Sequence, residues 1–121
     1  MQHTVCIAGS REFRDVRKLR EVMAKVHDRV VSAGYTPLYI GGGAEGADKL
    51  GKEWAVQHGF EYKEFPADWK KHGRAAGPIR NKQMAAVAQE LVAFWDGRSS
   101  GTGHMIATAK RRGLPIQVVY F

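Results

Sequence analysis

The sequence predicts an α/β fold, a doubly wound parallel sheet of five strands in the order 3-2-1-4-5, folded as one domain over residues 1–121. Three observations lead there. Strand-like and helix-like segments alternate from end to end. Strands 1, 4 and 5 are nearly continuous apolar runs, as in a sheet covered on both faces. Glycines gather where strands give way to helices.

"HTVCIAG" opens the chain as a short buried strand. In "DVRKLREVMAKVHDRVVSAG", Val16, Leu19, Val22, Met23, Val26 and Val30 recur at helical spacing and define one apolar face. Asp15 is placed to cap this helix and Gly34 to stop it. "TPLYIGGG" is a second strand. "GADKLGKEWAVQHG" is a helix with Ala47, Leu50, Trp54 and Ala55 inward, closed by Gly59. "FEYKEFPADW" holds a third strand with Phe60, Tyr62 and Phe65 alternating. "PADWKKHGRAAG" reads as irregular. "PIRNKQMAAVAQE" is helical, with Pro78 in its first turn. "ELVAFWDG" is the fourth strand, "TGHMIATAKRRG" a helix stopped by Gly113, and "LPIQVVYF" the fifth strand. Right-handed crossovers turn this series into a Rossmann-like layout. The reversal between strands 1 and 4 marks where ligands bind, beyond the strand carboxyl ends.

Composition narrows the function. Apolar residues make up 44% of the 121 and charged residues 26%, typical of a soluble globular protein. No apolar run approaches the roughly 18 residues of a membrane span. "MQHTVCIAGS" lacks the basic start and apolar stretch of a signal peptide. The single cysteine, Cys6, allows no internal disulfide, suits a reducing cytosol, and reads as a small buried residue. Nineteen basic residues against 12 acidic ones leave a formal charge of +7, which favours anionic partners. The five histidines show no metal-ligand spacing, and His104 reads as a surface residue. No Ser/His/Asp or Cys/His nucleophile arrangement is visible.

The informative motifs fall at the loops. "AGSREF" follows strand 1, "GGGAEGAD" strand 2 and "FWDGRSSGTGH" strand 4, while "AGPIRN" opens the helix before strand 4. A helix amino terminus has free N–H groups and partial positive charge, so it attracts anions. Glycine lets a phosphate come close to the backbone. Together these starts point to a phosphate-bearing ligand. Gly41, Gly43 and Gly46 match the dinucleotide fingerprint formally, with Asp68 roughly 20 residues on, but they follow the second strand instead of the first. No Lys-Ser/Thr follows, so this is not a Walker loop. Asp48 either caps its own helix or faces the pocket, to accept from ribose hydroxyls or to hold a metal or water. Arg80, in a first turn, opposes the helix dipole, which favours a ligand role. Trp69 and Trp95 flank candidate loops; aromatic packing is their first reading and base stacking the alternative.

"GSREF", "GGGAEGAD", "W…AAGPIRNKQM" and "FWDGRSSGTGHMIATAKRRGLPIQVV" together resemble the YspA-type members of the SLOG superfamily. That superfamily also holds the Lonely-guy enzymes and the Rossmann-like core of DprA. The resemblance covers nearly the whole chain. It implies a protein of bacterial or phage origin, cytoplasmic in the host in the latter case, that binds nucleotides or derivatives such as ADP-ribose and NAD relatives. It implies a pocket built from Gly9, Ser10 and Arg11, from Gly42, Gly43, Gly46 and Asp48, from Arg80 and Asn81, and from Asp96, Gly97, Ser100, Gly101 and Thr102. Met105 stands where the Lonely-guy motif carries its catalytic glutamate, so the resemblance does not bring that cleavage mechanism with it. No catalytic residue is assigned; Asp48 and Asp96 are the candidate acids or bases.

The expected partner is therefore a small phosphorylated nucleotide ligand, with no metal and no other cofactor assigned. Two alternatives stay open: hydrolysis of an N-glycosidic or phosphate bond in such a ligand, and single-stranded nucleic-acid binding, which the charge and the DprA relationship suggest. Relatives that dimerise, and the apolar end "VVYF", also make a homo-oligomer an expectation.

Overall fold

The computed structural model describes all 121 residues. Its parallel sheet runs β3-β2-β1-β4-β5, from β1 (Gln2–Gly9), β2 (Thr36–Gly41), β3 (Glu61–Glu64), β4 (Glu90–Trp95) and β5 (Ile116–Tyr120). The order is the one the alternation predicts. Helices α1 (Val16–Ser32) and α2 (Ala47–Gln57) connect β1, β2 and β3. The four-residue α3 (Trp69–His72), a 3-10 turn (Gly73–Ala75) and α4 (Ala76–Val87) lead to β4, and α5 (Ser100–Arg111) leads to β5.

The central strands have two insides. On β1, Val5 and Ile7 face a core shared with α1 and α2, which includes Leu19, Met23, Tyr39, Trp54 and Phe94. Cys6 and Ala8 face a second core with Met84, Ala85, Met105 and Ala109 from α4 and α5. Alternation along a strand explains the division, and burial on both sides explains why β1 and β4 read as unbroken apolar runs. Cys6 is fully buried beside the Met84 sulfur, 3.9 Å away, and burial drives its thiol pKa up.

Most element expectations hold locally. Asp15 caps α1, its carboxylate accepting from the Lys18 amide at 3.0 Å. Val16 is the exception on the apolar face: at the first helical position it lies outside the core, 43% exposed. The stretch expected to be irregular contains α3 and the 3-10 turn, and α4 begins two residues ahead of Pro78. Phe65 falls just past β3 and packs against the α4/α5 core.

Backbones meet closely where the winding reverses. A Cβ on Gly9 would sit 2.5 Å from both the Ala47 Cβ and the Phe94 carbonyl oxygen. Glycine there lets α2 start directly against the end of β1. At the opposite rim, buried Glu90 accepts from Arg29 at 2.5 Å and contacts His3 at 2.6 Å. Burial opposes ionisation of Glu90, but these two partners outweigh it and hold its pKa low. No helix is long and apolar enough to cross a membrane.

Candidate functional site

The strand carboxyl ends open into one cleft of about 610 Å³. Its wall takes Gly9, Ser10 and Arg11 from the loop after β1, and Asp48 from the first turn of α2. Arg80 and Asn81 come from α4, and Ser100, Gly101 and Thr102 from the first turn of α5. The structure thus gathers these sequence-derived residues around one space. Gly42, Gly43, Gly46, Asp96 and Gly97 lie outside that lining.

Gly42, Gly43, Gly46 and Asp96 each have a close neighbour within the protein. A Cβ on Gly42 would press on the Arg80 guanidinium, 2.7 Å from Cζ. Gly43 has φ +77° and lies under the Glu64 carboxylate. Gly46, with φ +82°, brings its loop against the Ser10 and Arg11 carbonyls. Asp96 turns back on its own loop: Oδ1 accepts from the Arg98 and Ser99 amides, both at 2.8 Å, and Oδ2 from Ser99 Oγ at 2.9 Å. Those bonds hold its pKa at about 2, far in the ionised range. Gly97, φ +79°, completes that turn with open space around it. Asp68 caps α3 through the Lys71 amide at 3.1 Å.

Ser10 ties three loops together. Its amide donates to the Phe94 carbonyl at 2.9 Å, and its carbonyl accepts from the Phe13 and Ala47 amides at 3.2 and 3.3 Å. Its Oγ accepts from the Asp96 amide at 3.4 Å. The residue is fully buried, so these bonds replace water as partner.

Asp48 settles its two sequence readings in favour of the cleft. The α2 N-cap is Gly46, which has no side-chain cap. Asp48 is 7% exposed, accepts from the Ala44 amide at 3.2 Å and has the Gly9 and Gly42 amides turned toward it. Burial raises its pKa to about 6, against the pull of those amides and of Arg80. Here desolvation of the charged form is the larger effect.

A chain of hydrogen bonds braces the far wall. Arg80 Nη1 donates to the Gly42 carbonyl at 2.6 Å and its Nε to Asn81 Oδ1 at 3.2 Å. Asn81 Nδ2 reaches the Gly101 carbonyl at 3.3 Å and His104 Nδ1 at 3.1 Å. His104, expected on the surface, is half-buried against the cleft because α5 packs beside α4. Burial, with Arg111 and Lys82 nearby, lowers its pKa.

The arrangement suits an anion. Helix α5 has no side-chain cap, and its first backbone bond is from the Gly103 amide to the Ser99 carbonyl. The Ser100, Gly101 and Thr102 amides therefore have no partner within the protein. Arg11, Arg74 and Arg80 line the same cleft, and none belongs to an ion pair. Free amides and unpaired guanidinium groups are the usual equipment for phosphate or carboxylate. No three of the His, Cys, Asp and Glu side chains come together to hold a metal ion.

Sequence reasoning missed Arg74, Glu12 and Ala44 as lining residues and ranked stacking by Trp69 behind packing. For Arg74 and Trp69 the available signal was the basic, glycine-containing run "WKKHGR" just before the helix that carries Pro78.

A Rossmann-like α/β domain with its cleft over the switch point is defined by these features. The comparisons specify it further. The profile of the YspA, cpYpsA-related SLOG family matches residues 3–72, and the chain belongs to that family. It is also similar to the Gene 61 protein of Mycobacterium phage D29, 36% identical over 118 residues, spanning 93% of this chain and 92% of the phage protein. No solved structure matches it significantly. Family membership points to nucleotide-related ligand binding at a general level.

Proposed function

We propose that the cleft binds a phosphorylated nucleotide or nucleotide-derived ligand, an adenine nucleotide or a molecule of the ADP-ribose or NAD type. The observation that carries this reading is the uncapped start of α5, whose three free amides open into the space that Arg80 also lines. Phosphate sits on the Ser100, Gly101 and Thr102 amides and is neutralised by Arg80, with Arg11 and Arg74 at the mouth. Asp48 lies on the α2 side, suited to accept from a ribose hydroxyl. Calorimetric titration with phosphate, AMP, ADP, ADP-ribose and NAD tests the reading. Micromolar to submillimolar binding of a phosphorylated nucleotide, weakened at least tenfold by Arg80→Ala, is expected. No binding of any of them at millimolar concentration overturns it.

The Asp48 environment favours a second reading on the same pocket, hydrolysis of an N-glycosidic or phosphate bond in the ligand. A buried carboxyl with pKa about 6 is suited to proton transfer near neutral pH. Chromatography of the incubated ligand separates the two readings. Product that disappears in Asp48→Asn identifies an enzyme, and intact ligand identifies a binder.

A further inference from the structure

The three tryptophans are treated very differently by the fold. Trp54 is 3% exposed in the α1/α2 core. Trp95 is half-buried, and its Nε1 donates to the Ser99 carbonyl at 3.1 Å. Trp69 is 54% exposed, although it lines the cleft. Leaving half of an indole in water is unfavourable, and aromatic rings are among the largest apolar surfaces a ligand can cover.

Trp69 is also held in place. It is the first residue of α3, whose cap, Asp68, accepts from the Lys71 amide. The edge of its ring reaches the first turn of α4, with Cη2 3.4 Å from the position of a Cβ on Gly77, an ordinary van der Waals distance. Met84 and Met105, both buried, floor the same cleft. The cleft therefore has two chemistries: free amides and guanidinium groups for charge, and an exposed aromatic wall for a flat apolar group. A free phosphate or a sugar phosphate would use only the first.

Resting on the nucleotide reading above, we infer that Trp69 is the stacking wall for the ligand's unsaturated ring, so that the cleft selects a base-bearing phosphate over a sugar phosphate that lacks the base. Aromatic stacking is tolerant of which base is presented, because every base has a π face. This wall therefore selects for a ring without choosing among bases.

The test titrates AMP and ribose 5-phosphate into the wild type, Trp69→Ala and Trp69→Phe. The wild type is expected to bind AMP about tenfold or more tighter than ribose 5-phosphate, in keeping with one stacked base. Trp69→Ala brings AMP down to the ribose 5-phosphate level and leaves ribose 5-phosphate unchanged. Trp69→Phe keeps most of the preference, and only the wild type loses much of its tryptophan emission on adding AMP. A thermal melt of both variants near the wild-type midpoint confirms that the exposed ring is not needed for folding. AMP binding that survives Trp69→Ala at full strength, or equal affinity of the wild type for the two ligands, overturns the stacking role while the phosphate site stands. Failure of both ligands to bind the wild type overturns both.

Discussion

Asn81 Nδ2 donates to His104 Nδ1 at 3.1 Å while the same nitrogen reaches the Gly101 carbonyl at 3.3 Å. Both hydrogens of the amide are thereby engaged, and its oxygen accepts from Arg80 Nε. A neutral His104 that accepts at Nδ1 carries its proton on Nε2. Asn81 thus acts as a strut between α4 and the first turn of α5, and it fixes which tautomer the cleft contains. Asn81→Asp keeps the shape and the acceptor for Arg80 but removes both donors. It places a carboxylate against a carbonyl and a ring nitrogen. The His104 pKa is expected to rise from its lowered value, because a negative charge beside the ring favours the protonated form. Stability should fall by about 1–3 kcal/mol, the scale for unpairing buried polar groups. An NMR titration of the His104 ring and a urea unfolding curve check the two halves. An unmoved His104 pKa contradicts the strut.

A buried carboxyl and a half-buried histidine pull the acid stability in opposite directions. The folded pKa of Asp48, about 6, lies above its ordinary 3.8. Between those values the folded state holds more protons than the unfolded one, so this group makes stability rise as pH falls through that interval. His27 is the reverse. Burial is the main cause of its lowered pKa, helped by His58 and opposed by Asp28. Its ring stacks on Phe60 at 3.8 Å, and Nδ1 lies 2.7 Å from the Tyr39 hydroxyl. The folded state resists protonating it, so stability is lost as pH falls below 6.5 toward the folded pKa. Asp48→Asn should therefore expose a steeper acid loss, and His27→Phe a shallower one. Urea midpoints measured from pH 7.5 to 4.5 read both slopes. Parallel curves for the wild type and Asp48→Asn mean that Asp48 titrates as an ordinary carboxylate.

Gly46 and Gly97 share a left-handed backbone but differ in surroundings. At Gly97 nothing approaches a new Cβ, so Gly97→Ala reports the φ of +79° alone. At Gly46 the Cβ would also lie 2.5 Å from the Arg11 carbonyl oxygen, against main chain that has no rotamer to give way. Gly97→Ala is expected to cost about 1–2 kcal/mol. Gly46→Ala should cost about 3 kcal/mol or more, because strain and overpacking combine. It should also weaken ligand binding, by moving the Ser10–Arg11 loop. Denaturation midpoints for the pair, with equal losses as the contrary result, decide whether loop contact matters beyond backbone conformation.

The sheet was legible because its causes are local. Apolar runs mark β1 and β4, helical periodicity marks α1, and handedness orders the strands. The site was legible only in part, because loop direction depends on what packs across it. Gly42, Gly43 and Gly46 read as ligand-facing, and the structure adds a packing reason for their size: Arg80, Glu64 and the Ser10–Arg11 backbone lie against them. Those neighbours come from other elements and leave no mark beside the glycines. Asp96 had a local signal: an aspartate followed by Gly-Arg-Ser is built to accept from amides two and three residues on. Asp48 was ambiguous at its helix start, although the buried stripe Ala47, Gly51, Trp54 and Ala55 runs beside it. The short α3 was invisible because "WKKH" has no apolar repeat.

Arg80 joins the wall to the charge, so its variants separate geometry from electrostatics. Lys at this position keeps a positive charge but cannot donate both to the Gly42 carbonyl and to Asn81 Oδ1 from a planar fork. Ala removes charge and bonds together. If charge dominates phosphate binding, Arg80→Lys stays within about threefold of wild type while Arg80→Ala loses tenfold or more, about 1.4 kcal/mol. If the brace dominates, both variants lose affinity alike and both melt earlier. The cation also stabilises the Asp48 carboxylate. Arg80→Ala should therefore move the Asp48 pKa above 6, and Arg80→Lys should move it less. Carbon-13 titration of the Asp48 carboxyl measures that shift without any ligand. The free amides of α5 remain in both variants, so residual phosphate binding in Arg80→Ala reports the helix contribution, and its complete loss places the binding energy on the guanidinium.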